Sequence, residues 1–524
     1  MNESFNAVMV LQAQKRPREI RVPADDVVRG LIAQVHQSLT TKQRLAMIRR
    51  IQNELLLKNE EMTDLINWFL ELGGFRALLL QLGLVLNRQG STVHEIHGLC
   101  QCMNELLRKS NARDTIMEAM EENALDLFAR ACREWEAPQI PFMAHWISAC
   151  ARGTHLLWQS PGLLRRMIAL LPQTSRNLDE ILGFFKNVTY FDRQGRIIGE
   201  AGFVAHLTAL SLQPVHPERL SAVWRNMALI HECRGRLKQS VNMLQILHTL
   251  ATTKTHHDDE THVHRNVLNT TINLSMDQDY CVSFLLYGDG LYTSLLQRLL
   301  TSEDSTTRKR AARTLRLWAT HSSSANLLVQ ASSLMGTLSA TAVRDENEQV
   351  RREAAEAFGR CAGCIQSPMP QHRAVLEALT ELCRTAPPAV VARAIRGQSS
   401  LPNNRCVLSD NPILVESLVT IALQPEVGSV VREDACTALL HLTLVPSNRS
   451  KLLDKRLLNA LCLNLPAIPV AAEIVILLAE ETALTTILVQ HKQLIKVLIR
   501  CAAQPDHPFK HEMKQIVLQL VEAL

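Results

Sequence analysis

Aromatic residues are scarce. Phe, Trp and Tyr make up 4% of the 524 residues, with only 6 Trp and 4 Tyr. Strands favour aromatic and β-branched side chains, so this Leu- and Ala-rich composition argues for close-packed helices instead. Long apolar runs are lacking too. With no stretch of eighteen such residues, no membrane span is expected. The N-terminus carries Glu3 and no compact apolar segment before a small-residue cleavage site, so no secretory signal is expected. Net charge is small, 56 Lys and Arg against 51 Asp and Glu. Phosphate binding normally shows as a concentrated basic face, so nucleic acid is not the expected partner. Phosphate loop, dinucleotide fingerprint, GxSxG elbow and HExxH are all missing, so neither catalysis nor a cofactor is expected. The 13 Cys form no disulfide-like framework, which points to a reducing compartment. Cytoplasm is therefore expected. The nucleus stays open through Lys15-Arg16-Pro17-Arg18, which reads either as a localisation signal or as a solvated tail.

What is present is repetition. NVTYFDRQGRIIGEAGFVAHLTALSLQ from Asn187 and NLSMDQDYCVSFLLYGDGLYTSLLQRLL from Asn273 each place a Gly fifteen residues after the Asn, at Gly202 and Gly288. Each Gly is suited to break the chain between two short helices, because positive φ costs it nothing. RKRAARTLRLWA, VRREAAEAFGRCA and VREDACTALLHLT repeat a further pattern, with Ala at helical spacing beside larger apolar residues. Small residues on an inner face let neighbouring helices approach closely.

Aligning the Asn position gives a ladder: Asn53, Asn104, Ser148, Asn187, Asn226, Asn273, Leu317, Arg360, Gly397, His441 and Leu478. The mean step is about 42 residues, the length of a three-helix unit. An all-α, right-handed solenoid of about ten to eleven repeats is expected. It would comprise an arm and capping helix (Asp25 to Leu39) over residues 1–40, then an array over 41–524 distorted or looped near 396–412. No composition shift divides the array.

Asn followed by an apolar residue, the turn Glu200-Ala201-Gly202 and a Leu-rich helix resemble the armadillo repeat of β-catenin and importin-α. VRDENEQVRREAAEAFGR, with Asp345, Val350, Arg351 and Ala354, resembles a HEAT unit, in which a turn Asp and a helix Arg tie adjacent repeats. The resemblance implies a non-catalytic scaffold or adaptor that holds an extended segment of another protein in a groove. Asn104, Asn187, Asn226 and Asn273 would then hydrogen-bond the segment's main chain. Asn in a helix's last turn also serves as a local cap, and both readings stand. In the importin-α pattern a Trp precedes the Asn by four residues. Gly183, Ala222 and Asn269 occupy those positions here, which tells against a cargo receptor for basic signals without removing that alternative.

In the second half, Arg313 and Arg393 lie one turn before the ladder position, Arg360 occupies it, and Arg310 lies a further turn back. Their guanidinium forks match carboxylates, which suggests an acidic partner segment. Pairing with Glu353 and Glu356 is the competing reading, and an RNA-binding HEAT-type array is a third class. Two clusters carry the remaining metal chemistry. THHDDETHVH (His256 to His264) lies where the step lengthens to 47 residues and is read as an inserted surface loop. Cys361 and Cys364 form a lone CxxC, half a zinc site at most. No metal is assigned to either.

Overall fold

The protein is described by a computed structural model. It covers residues 22–522 except position 38, 57–62, 110–112, 121, 173–176, 240–241, 256, 363–372 and 505–508. The described residues form helices and no strand. They fall into two compact units, Met1–Thr255 and His256–Leu524, a division with no counterpart in composition.

Within each unit, helices about one repeat apart stack side by side in two layers. In the first unit one layer, here called the ladder, holds α1 (Thr41–Ile51), α2 (Val93–Lys109), α3 (Ile140–Ser148), α4 (Leu178–Phe191) and α5 (Pro217–Leu229). Val22–Val35, Gly74–Leu86, Glu122–Trp135 and Pro161–Leu170 pack in sequence behind it. In the second unit the ladder is α6 (His257–Leu274), α7 (Ser305–Trp318), α8 (Glu348–Ala362), α9 (Pro388–Ser399), α10 (Ser429–Thr443) and α11 (Pro469–Ala479). Its second layer runs from Leu291–Leu300 to Lys492–Ala503.

Local chemistry sets these boundaries. Gly202 (φ 79°) supplies the left-handed residue immediately before Phe203–Leu212. Before Leu291–Leu300 that position is held by Gly290 (φ 95°), two residues after the expected Gly288, which has positive φ (54°) within the turn itself. Asp304 caps α7 by accepting from the Thr306 and Thr307 N–H groups. Pro217, Pro388 and Pro469 sit in first turns, where a missing N–H costs nothing. The Ala pattern is the packing face: Ala311, Ala312, Ala354, Ala357, Ala392, Ala394, Ala435 and Ala438 are all fully buried. At Gly359 of α8 even a Cβ would stand 3.0 Å from Val390 Cγ1 of α9. Close approach lets each large apolar side chain reach the next repeat, and full burial of one contributes roughly 1.5–3 kcal/mol.

Three expectations change. The stretch from Arg396 to Pro412 is not a loop. It closes α9, makes a turn at Pro402–Asn404 and a short helix at Arg405–Ser409, then enters Pro412–Leu423. Asn404 is fully buried and donates to Gln398, which holds the turn, and Asn411 caps the next helix. The His-rich segment is likewise no inserted loop. From His257 it forms the first turns of α6, whose acidic residues suit a helix N-terminus, and His264 is buried. His256 lies outside the described residues. The capping helix spans Val22–Val35, and the arm before it, with Lys15–Arg18, also lies outside them.

Candidate partner-binding face

The ladder asparagines do not form one uniform row. In the first unit, Asn187 of α4 donates from Nδ2 to the His145 carbonyl (3.4 Å) and Ser148 Oγ (3.2 Å) of α3. Asn226 of α5 repeats this one repeat on, donating to the Lys186 carbonyl (2.9 Å) and Thr189 Oγ1 (3.3 Å) of α4. Each side chain therefore adds a bond to late-turn groups of the preceding ladder helix, whose carbonyls also accept from Ser148 Oγ and Thr189 Oγ1. Asn226 is 2% exposed, and its Oδ1 accepts from Arg225 Nη2 at 2.9 Å. Every hydrogen-bonding end of Asn226 is occupied, so it is removed from the main-chain-reading set. Asn104 of α2 is buried as well. Asn273 of α6 differs: it is half-buried and bonds no described residue.

The tryptophan question has a geometric answer. A Cβ at Gly183 would stand 2.5 Å from His145 Cε1, so the α3 imidazole covers that position. His145 Nδ1 meets Glu180 Oε2 at 2.6 Å. On the ladder helices Trp146 of α3 is half-buried, whereas Trp224 and Trp318 are fully buried and donate to Ser211 and Ser275. The latter two are core residues.

In the second unit, guanidinium groups from adjacent ladder helices converge. Arg316 of α7 pairs with Glu353 (2.6 Å) and Glu356 (3.4 Å) of α8. Arg393 and Arg396 of α9 both meet Asp434 of α10, Arg393 at 3.9 Å. Arg360 of α8 lies between these groups, half-buried, with no hydrogen bond or ion pair to a described residue. Burial, and then the like charges of Arg393 and Arg316, push its pKa down against the pull of Glu356, although a guanidinium stays charged. Arg313 is exposed and bonds no described residue, and Arg310 is half-buried a turn earlier. The expected pairing with Glu353 and Glu356 is thus real, but Arg316 makes it.

A separate set of arginines joins repeats. Arg265 of α6 forks onto Asp304 (2.6 and 2.9 Å), and Arg308 of α7 forks onto Asp345 (2.7 and 3.0 Å). Burial would raise the Asp304 carboxyl, but hydrogen bonds from Arg265 and Thr307 reverse this and hold it well below the usual carboxylate range. Arg351 donates to the Asp345 and Glu346 carbonyls, tying the turn to α8.

Residues 292–397, which contain the Arg308–Asp345 tie, match a family model described as HEAT repeats. Among solved structures, one from work on a phosphorylation switch controlling the cadherin–β-catenin interaction is 14% identical, with a TM-score of 0.58. The match covers 90% of this chain and 99% of that one. An engineered protein is 15% identical, with a TM-score of 0.53 over 95% of this chain and 99% of its own. The chain has the armadillo/HEAT-type repeat fold. No curated protein matches the sequence.

Armadillo/HEAT-type solenoids are commonly protein-binding scaffolds and typically non-catalytic. No single described helix is long and apolar enough to cross a membrane. The described residues hold no group of three metal-ligating side chains close enough to share an ion. Cys361 is buried at the end of α8, and Cys364 lies outside the described residues. Two arginines of this face, Arg316 and Arg396, escaped the sequence reading. Each lies three residues from a named one, Arg313 or Arg393, so the helical period could have found them.

Proposed function

We propose that the protein is a non-catalytic scaffold whose second-unit ladder face holds an extended, acidic segment of another protein. One observation carries this: Arg360, a half-buried guanidinium between Arg316 and Arg393, has no carboxylate of its own. Removing a cation from water beside like charges is unfavourable unless an anion completes the site. Exposed Arg313 extends the attraction along the face, and unbonded Asn273 can meet the segment's main chain. A cargo receptor for basic signals is disfavoured, since these arginines would repel such a ligand. We place the protein in the cytoplasm, with Lys15–Arg18 as the segment that would admit it to the nucleus. A fluorescent fusion compared with its Lys15→Ala, Arg16→Ala variant tests that placement.

The binding test is a labelled twelve-residue peptide carrying four glutamates, followed by fluorescence anisotropy. Arg313→Glu with Arg360→Glu should weaken binding at least tenfold, with helical circular dichroism retained. Charge-assisted hydrogen bonds contribute about 1.5–3 kcal/mol each, and 1.4 kcal/mol is a factor of ten. Equal binding by both proteins sinks the proposal. Tighter binding of a uridine oligomer with steep salt dependence would favour the RNA-binding class instead.

A further inference from the structure

We propose that His441 and Arg405 form a second, acid-responsive seat on the ladder face. In mild acid the imidazole becomes a further donor to a carboxylate of the bound segment, beside the standing charge of Arg405. This rests on the reading that the face holds an acidic segment, and extends it to how binding is regulated.

His441 stands where the first unit uses asparagine. Asn226 reaches back to the preceding ladder helix, to the Lys186 carbonyl and the Thr189 hydroxyl. His441 of α10 holds the same ladder position and makes the same kinds of contact on α9, to the Arg396 carbonyl and to Ser399 Oγ at 3.0 Å. Ser399 Oγ donates its own proton to the Arg396 carbonyl, so it accepts from Nδ1–H. Nδ1–H thus makes the tie between repeats that an amide makes elsewhere. Nε2 keeps its lone pair, bonds no described residue and is not sealed from solvent. An amide does not titrate, whereas an imidazole gains a proton at the nitrogen this tie leaves unused.

The charge around the ring is positive and incomplete. Arg405 donates to the Ser399 and Ser400 carbonyls and pairs with no described carboxylate. One repeat on, Arg449 donates likewise to the Thr443 carbonyl but also meets Glu480 and Glu481, at 3.2 and 3.5 Å. Those glutamates lie two and three residues past the ladder position Leu478. The residues so placed after His441 are Thr443 and Leu444, so neither supplies Arg405 with an anion. Burial, then Arg405 and Arg396, hold the imidazole pKa below its ordinary value, which keeps the ring neutral at neutral pH.

Other charges on α10 and the helices packed against it are engaged elsewhere. Arg393 and Arg396 meet Asp434, Glu416 meets Arg456, Lys451 meets Asp410, and Arg432 turns to Asn464. Glu433 of α10, Glu473 of α11 and the exposed Cys406 thiol do not act on the ring. A carboxylate arriving between Arg405 and Nε2 offsets the two arginines and favours the protonated imidazole. The same segment reaches both seats. Arg360 and His441 are two ladder helices apart, about 20 Å at 8–10 Å per helix, which about six extended residues span.

The experiment follows the four-glutamate peptide by anisotropy at pH 7.5 and 5.5, and by calorimetry in two buffers of different ionisation enthalpy. The peptide's glutamates, with pKa about 4.3, stay charged over this range. Binding that raises the imidazole pKa takes up a proton, so it tightens as pH falls toward the lower, unbound value. Affinity should rise at least threefold at pH 5.5, with net proton uptake. His441→Asn, which restores the Asn226 arrangement, should match the unaltered protein at pH 7.5 and lose both effects, with circular dichroism retained at each pH. His441→Gln is the second variant and should behave alike. A flat profile in the unaltered protein, an outcome that needs no variant to fold, overturns the proposal and leaves the acidic-segment reading standing. The same rise in both variants does so too. No binding at either pH overturns both.

Discussion

Arg308 grips Asp345 across a repeat boundary, donating from Nε and Nη2 to the two carboxylate oxygens at 2.7 and 3.0 Å. Its remaining nitrogen donates back to the Ser302 and Glu303 carbonyls, both at 2.9 Å. One side chain thus locks the turn before α7 to the turn before α8. Both partners are almost entirely buried, with side-chain exposures of 10% and 6%. Asp345→Ala would leave the buried guanidinium with only the exposed Glu346 carboxylate at 3.2 Å as counter-charge, and losing the Asp345 fork should cost about 1.5–3 kcal/mol. Urea unfolding should show that loss, and the double variant Arg308→Met, Asp345→Ala should recover part of it.

Asp304 makes stability pH-dependent. Its folded pKa lies below the unfolded value of about 3.9, so the Arg265–Asp304 tie stabilises fully above that value. The contribution drains away as pH falls through the lower, folded pKa. Asp304→Asn should destabilise at pH 7 by about 1–3 kcal/mol. It should also flatten the acid limb of stability below pH 4, measured by urea midpoints at stepped pH.

Asn226 and Asn273 should behave in opposite ways. Asn226→Ala strips a bond from the Lys186 carbonyl and the acceptor from Arg225, and should cost about 1–3 kcal/mol. Asn273→Ala should alter stability by less than about 0.5 kcal/mol and weaken the acidic peptide several-fold. Thermal melts and anisotropy on the same two proteins separate the effects.

Gly153 is fixed by backbone. A Cβ there would stand 1.9 Å from the Ile147 carbonyl oxygen at the end of α3. Ala gains about 1 kcal/mol over Gly in a helix interior, yet Gly153→Ala should destabilise by about 3 kcal/mol or more. A rise in melting temperature would contradict the packing of α3 against Ala151–Gln159.

Much of the fold was legible because its rules are local and repeat. Gly202 and Gly288 fall at required positive-φ turns, and the Ala stripes at Ala311, Ala354 and Ala435 lie on the buried faces predicted for them. Legibility stopped where one helix meets another. The longer step at His257 to His264 reads as an inserted loop, yet their acidic residues suit the start of α6. Arg396 to Pro412 look like a loop, yet Asn411 caps a helix there and Asn404 is buried against Gln398.

The sequence by itself determined the helical period, the repeat length of about 42 residues and the places where the chain must break. Each follows from backbone sterics and side-chain size within a few residues. Only the tertiary structure decided which polar ladder residues are spent on internal bonds and which stay open. Asn226 and Asn273 occupy the same place in the repeat, as do Arg360 and Leu317, and nothing local distinguishes their roles. The choice depends on neighbours some forty residues away, whose carbonyls and carboxylates arrive only when the repeats stack.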